Sequence, residues 1–438
     1  MPQPALRREL NLLDALMINV GVILGSAIFL VPALIADKSG TPWMAALVWV
    51  VAGFMSWCGA VTFAELATLF PKAGGQYVYL ERAYHPFLGF LYGWTVFAVI
   101  QTASIAAVSV AFMTYLAYFF PFSDAGIKLG AVLLILGLTA WNCLSLRLGA
   151  TTQNFTTLLK LALLALIALA CFYFGGEGSP AFGAFLPQSS AGLTGFTLAL
   201  VAALWAFDGW ISITYMASEV RQPQRNLPRS IFHSVLLLGG LYVLVQLAFA
   251  YALPSERLFV SERVASEAVE YLLGPLGGGL VALAVVISCF AANNGMVLSG
   301  ARVYYAMAAD GRFFRPLARL SSRSIPANAL IAQGIWAALL SLSGSYDQLL
   351  TYVVVCSWIF YLLSATALIV LRRKRPELPR PYRVPGYPYL PGLFILMAAA
   401  LLINTLWSDP RNSLIGIGIT LAGAPLYFYW RQEQGKGR

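Results

Sequence analysis

Two short stretches interrupt otherwise apolar runs with residues that could do chemistry. One is Gly25-Ser26-Ala27, with Gly21 one turn earlier, and the other is Phe207-Asp208-Gly209. A helix that loses its ladder at such a point leaves free carbonyls behind it and free N–H groups ahead of it. The N–H groups, with the positive dipole end of the second half-helix, suit a carboxylate. The carbonyls suit an ammonium. A zwitterion therefore fits, its carboxylate on the backbone of Ser26, Ala27 and Ile28 and its ammonium on carbonyls near Ile23, Leu24 and Phe207.

Asp208 stands at the second break. It either caps the following half-helix or acts on the amino end or side chain of a bound molecule. Phe207 reads either as packing or as a lid over the site. Lys160 and Glu65 are also ionisable residues inside apolar runs, where such groups are costly and usually functional. Lys160 lies roughly 13 Å into its helix at about 1.5 Å per residue. It either snorkels to the interface or forms a fixed cation beside the break at Gly25. Glu65, nearer one end of its helix, is expected to pair with a base from the same side. Asn293-Asn294-Gly295 is expected to interrupt a further helix with buried amides, which can glue helices or bind a ligand.

No nucleophile–His–acid set is present, because His85 and His233 fall at expected loop ends. Cys58, Cys143, Cys171, Cys289 and Cys356 all fall inside expected helices. They have neither metal spacing nor an extracellular pairing pattern. No phosphate loop or haem signature appears. The residues point to binding without catalysis, and to no cofactor and no metal.

These groups are carried by a chain of 438 residues that is 59% hydrophobic and 11% charged, with a mean hydropathy of +0.75. A soluble domain carries about 25% charged residues, so most of this surface does not face water. A spanning helix needs about 20 mainly apolar residues, and about twelve such segments can be placed. They lie near 11–36, 43–70, 86–119, 126–146, 151–175, 192–219, 229–253, 271–308, 327–343, 347–371, 390–407 and 412–431. No soluble domain is left over. The first segment lacks a convincing cleavage site and is expected to stay in the protein.

The net charge of +10 is distributed by side. With both termini cytoplasmic, Lys38, Lys128, Arg257, Arg263 and Arg411 fall outside and Lys160 falls within the membrane. All other Lys and Arg are then cytoplasmic, which is the positive-inside bias. The clusters at 312–323 and 372–383 are loops beside anionic lipid. This distribution argues for a lipid bilayer as the partner and against nucleic acid.

The two breaks lie five spans apart, so their helices cross the membrane in opposite directions. Matched broken helices in two five-helix halves point to an inverted repeat with a site at the midplane. The expected architecture is one transmembrane domain over 1–438. Within it, 11–175 forms a first repeat, 192–371 a second, and 390–431 two further helices.

Several blocks carry a family resemblance. Gly25-Ser26-Ala27-Ile28-Phe29 is similar to a Gly-Ser-Gly-Ile-Phe motif. The others are AELATLFPKAGGQYVYLERAY from Ala64 to Tyr84, AFDGW from Ala206, Ser218-Glu219-Val220, NNGMVLSGARVYYAMAADGRFF from Asn293, and the run from Arg380 to Pro385. Over residues 6–430 the chain resembles the amino acid–polyamine–organocation superfamily, and within it the L-type amino acid transporter group. The resemblance implies an all-α membrane protein of 12 transmembrane helices. Its fold would be a LeuT-like five-plus-five inverted repeat with helices 1 and 6 broken. It also implies sodium-independent exchange of amino acids, with a helix 5 lysine in the space of a sodium site, a position matched by Lys160. The substrate site would take Ile23 to Ile28 on helix 1, and Ala206, Phe207, Asp208, Gly209 and Thr214 on helix 6. Asn293 and Asn294 would be accessory, with Glu65.

Two departures bear on the substrate. Ala27 replaces the second glycine of the motif, and its methyl crowds the carboxylate site or stiffens the break. Thr214 stands where many L-type members have asparagine. The loop near 120–126 lacks the cysteine by which animal relatives join a single-pass heavy subunit. The chain is therefore expected to work alone, in a bacterial plasma membrane. The leading expectation is an amino acid exchanger working by alternating access. A proton-coupled symporter of the same fold, with Lys160 or Glu65 titrating, is the nearest alternative. A channel and a membrane enzyme are more distant ones.

Overall fold

In the hydrocarbon of a bilayer every backbone N–H and C=O must find a partner within the protein, which leaves helices and closed barrels as spanning structures. This chain takes the helical solution. The computed structural model describes residues 6–176, 182–183, 192–258, 261, 263–343 and 346–436. These residues are helical apart from connections and one isolated parallel bridge between Leu10 and Val220.

The first span is split into α1 (Leu12–Ile23) and α2 (Ala27–Ser39), bent by 51° at the break. Asn11 and Asp14 open α1 with a reciprocal capping box, which satisfies two orphan donors. Next come α3 (Pro42–Leu69), the short α4 (Gln76–Ala83) and the span Pro86–Leu116. That span is α5 (Pro86–Thr95), a π-helical turn at Val96–Ile100, and α6 (Gln101–Leu116). Then follow α7 (Asp124–Leu144), α8 (Leu146–Phe174), α9 (Gly192–Ala206) and the single turn α10 (Ser212–Tyr215). The chain continues through α11 (Pro223–Ala252), α12 (Ser255–Leu258), α13 (Val264–Leu273) and α14 (Pro275–Ala309). It ends with α15 (Ala327–Ser343), α16 (Tyr346–Lys374), α17 (Tyr389–Ser408), α18 (Pro410–Leu421) and α19 (Gly423–Lys436).

Among the described residues, nine helices are long and apolar enough to cross a membrane, and ten if the bent α1–α2 pair is one span. Thr194–Ala206 and Ala327–Leu342 are shorter apolar helices. One expectation fails. α14 runs unbroken through Asn293-Asn294-Gly295, because both amides find partners on neighbouring helices and the backbone ladder is not disturbed.

α1 packs between α8, α11 and α14, and α3 runs along α11 and α9. Close approach is needed where α1 meets α8. A Cβ on Gly21 would fall 1.8 Å from Gln153 Nε2 and 2.6 Å from Thr157 Oγ1. At the second break Gly209 has φ +109°, a backbone state that favours glycine. Both broken segments therefore sit in the middle of the packed bundle.

Candidate functional site

A cavity of about 120 Å³ lies between the two breaks. Ile23, Gly25, Ser26 and Ala27 line it from the first break, and Asp208, Gly209 and Ser212 from the second. α6 adds Gln101 and Ser104, α14 adds Met296, and α16 adds Ser357 and Tyr361. Gln76, Tyr92 and Tyr215 also line it, and the Tyr92 and Tyr215 hydroxyls lie 2.6 Å apart.

The polar groups are unevenly placed. Among the described residues, the backbone N–H groups of Ser26, Ala27 and Ile28 have no hydrogen-bond partner. Ser26 and Ala27 face the cavity. Across from them, the Asp208 carboxylate accepts a hydrogen bond from the Tyr361 hydroxyl. Tyr361 is held in turn by stacking on Trp210, with ring centroids 5.5 Å apart. The Ser357 hydroxyl is buried in the lining without a partner. A buried unpaired polar atom is costly, and at a cavity wall it is a ready contact for a polar guest.

The carbonyls freed at the first break are held from behind. Lys160 is 2% exposed; its Nζ donates to Gly21 O at 2.7 Å and also to Leu24 O. Ser288 on α14 donates to Leu24 O at 2.8 Å and to Gly25 O at 3.0 Å. Tyr242 on α11 ties the breaks together, donating to Ala206 O at 3.1 Å and Ile23 O at 3.4 Å. Asn19 on α1 accepts from Ile213 N at 3.0 Å and makes a second tie. The lysine therefore lies against the break and does not snorkel.

Several expected positions are corrected. The Leu24 carbonyl is committed to Lys160 and Ser288 and is turned away from the cavity. Ile28 and Ala206 are buried and do not line it. Phe207 is no lid: its ring packs on Tyr242 at 5.0 Å and on Trp49 at 6.1 Å, on the far side of the helix. Thr214 donates to Ile211 O at 2.6 Å within its own turn and lies off the cavity. Glu65 accepts from Arg372 Nε at 2.9 Å and Val384 N at 2.7 Å, the pairing with a base expected from its position. Asn294 accepts from Asn142 Nδ2 at 2.9 Å and donates to Gln153 Oε1 at 2.8 Å. Asn293, in the orientation that satisfies its neighbours, donates to Ile105 O at 3.1 Å. Both asparagines are glue between helices.

Tyr361, Ser357, Gln101, Gln76 and Ser288 were not anticipated. A polar residue inside an apolar run, as in Val355-Cys356-Ser357-Trp358, is the signal that could have found some of them.

Ion pairs joining distant segments lie on the face that bears the N-terminus. Arg302 donates to Glu219 Oε2 at 2.8 Å and Oε1 at 2.9 Å, with both side chains almost fully buried. The Glu219 carbonyl accepts from Glu9 N and Leu10 N, each at 2.9 Å. Arg147 pairs with Asp14 at 3.2 Å, and Arg312 with Glu81 at 2.8 Å. Burial, and after it the charge of Asp310, holds the Tyr77 hydroxyl well above its ordinary value. It stays protonated and donates to Asp310 at 2.8 Å. Among the described residues, Lys38 on the opposite face pairs with its neighbour Asp37.

The amino acid permease family model matches residues 10–427. The chain is 33% identical to the human Large neutral amino acids transporter small subunit 2, covering 98% of this chain and 82% of that protein. It is 31% identical to the Serine/threonine exchanger SteT of Bacillus subtilis, covering 98% of each. It is also 31% identical to the mouse b(0,+)-type amino acid transporter 1, covering 97% of this chain and 88% of that protein.

Proposed function

The chain belongs to the amino acid permease family, and on that premise we propose that it is a sodium-independent amino acid exchanger working by alternating access. It is a transporter and not an enzyme. The observation that carries the reading is the polarity of the cavity. Partnerless N–H groups at Ser26 and Ala27 face it on one side and the Asp208 carboxylate on the other. A zwitterion spans that gap with its carboxylate on the first break and its ammonium near the second. The relative named as an exchanger, from Bacillus subtilis, supports exchange as the mode.

Lys160 takes the part of a bound cation. Its ammonium neutralises the Gly21 and Leu24 carbonyls, so no metal ion is needed to hold the break. The architecture is twelve spans arranged as two inverted halves, α1–α8 and α9–α16, with two helices following. Positive-inside bias makes the ion-paired N-terminal face cytoplasmic, in a bacterial inner membrane; its ion pairs hold that face shut, so the cavity faces outward. The chain works without a disulfide-linked heavy subunit. A cavity that takes benzene has about 150 Å³, so about 120 Å³ favours a small neutral amino acid.

The test is exchange in proteoliposomes. Labelled amino acid should enter only when unlabelled amino acid is inside, equally with and without sodium. Uptake into empty vesicles driven by an imposed pH gradient would replace exchange with proton symport.

A further inference from the structure

Away from the central cavity, a pocket of about 250 Å³ opens on the N-terminal face between the start of α5, the loop after α14 and the end of α19. His85, Pro86, Arg312, Tyr427 and Arg431 line it. Among the described residues, no acidic side chain lines it. The His85 Nδ1 accepts from Phe87 N at 3.1 Å, which fixes the tautomer and leaves Nε2–H as a donor. Arg431 has no acidic partner among the described residues. Arg312 is half-committed: one guanidinium nitrogen meets Glu81 at 2.8 Å and the Tyr77 hydroxyl at 3.1 Å. Glu81 and, through Tyr77, Asp310 face Arg312 from outside the lining.

The pocket's position selects its occupant. It lies where two membrane spans, Pro86–Leu116 and Pro410–Gln432, reach the same face, so its donors stand at headgroup depth. Beside it Phe314 and Phe428 are each 52% exposed, apolar rings that suit contact with acyl chains. A basic pocket between spans on the cytoplasmic side is the chemistry that takes an anionic headgroup. We propose that this pocket binds the phosphate of an anionic phospholipid, with its acyl chains lying over Phe314 and Phe428.

The site is wired to the transport cavity. Arg312 holds Tyr77 and Glu81 of α4, and the adjoining Gln76 lines the cavity. A bound phosphate draws on Arg312 and fixes α4 at the N-terminal face.

The experiment uses the purified full chain in neutral detergent, with phosphatidylglycerol, phosphatidylcholine or glycerol phosphate added. Phosphatidylglycerol is expected to raise the unfolding midpoint by roughly 3 °C and to slow amide exchange in α4. Phosphatidylcholine and glycerol phosphate should do neither. Arg431→Gln should lose most of both responses, and Arg431→Lys should keep them. Arg373→Gln, an equal loss of charge at the end of α16, should behave as wild type. Equal responses from Arg431→Gln and Arg373→Gln would reduce the effect to general attraction and overturn the site. A full response to glycerol phosphate alone would overturn the lipid as its occupant.

Discussion

The two breaks meet one problem, backbone groups set free at bilayer depth, in different ways. At the first, side chains from neighbouring helices hold the carbonyls: Lys160 on α8 and Ser288 on α14. At the second the chain turns on itself, with Asp208 N donating to Trp205 O at 3.0 Å and Ser212 N to Gly209 O at 3.0 Å. Asn19 and Tyr242 reach its backbone from outside, and Tyr361 reaches the Asp208 carboxylate. Just beyond it, Glu219 anchors the segment to Arg302 and to the N-terminal strap. The first break needs a charge behind it and offers donors to the cavity. The second closes its own backbone bonds and offers a carboxylate. This asymmetry gives the cavity two unlike ends, which is what an oriented zwitterion requires.

Four substitutions test that contrast. The largest effect is expected at the anchor of the second break. Glu219→Ala leaves the buried Arg302 guanidinium unpaired and should cost about 3–5 kcal/mol, read by chemical unfolding in detergent. A midpoint equal to wild type would mean that the second break is anchored elsewhere.

Next comes the charge behind the first break. Lys160→Ala removes two charge-assisted hydrogen bonds at about 1.5 kcal/mol each, so exchange in proteoliposomes should fall at least about 100-fold. Exchange within threefold of wild type by a folded Lys160→Ala protein would remove the lysine from the mechanism.

Asp208→Asn keeps the fold and neutralises the anionic end of the cavity. KM for a neutral amino acid should rise roughly 10-fold, about 1.4 kcal/mol, with the unfolding midpoint unchanged. An unaltered KM would place the substrate ammonium elsewhere. The smallest effect belongs to Thr214→Val, because this side chain bonds within its own turn and lies off the cavity. The ranking of competing amino acids should not change, and a reordered competition panel would put Thr214 back in the site.

Much of this was legible before any coordinates. The glycines at the first break and Asp208-Gly209 at the second mark where helices end inside the bilayer, because glycine and a buried carboxylate are both unfavourable in an uninterrupted apolar helix. The depth of Lys160 likewise made it a candidate for the first break. For Phe207 and Asn293-Asn294 the sequence left two readings open, for a common reason. A helix that is apolar on nearly all sides gives little hint of which side faces a cavity. Phe207 turned out to face Trp49 and Tyr242. The asparagine amides found partners across helix contacts that no local pattern encodes.

The sequence by itself determined the membrane setting, the apolar segments and the two points where the helical ladder fails. These follow from local composition and from what a bilayer tolerates. Tertiary structure alone decided which carbonyls Lys160 meets, which way Phe207 points, and that Tyr361 and Ser357 from α16 complete the cavity. Those outcomes depend on the rotation of each helix about its own axis. That rotation is set by packing against neighbours far along the chain, such as Gly21 against Gln153 on α8.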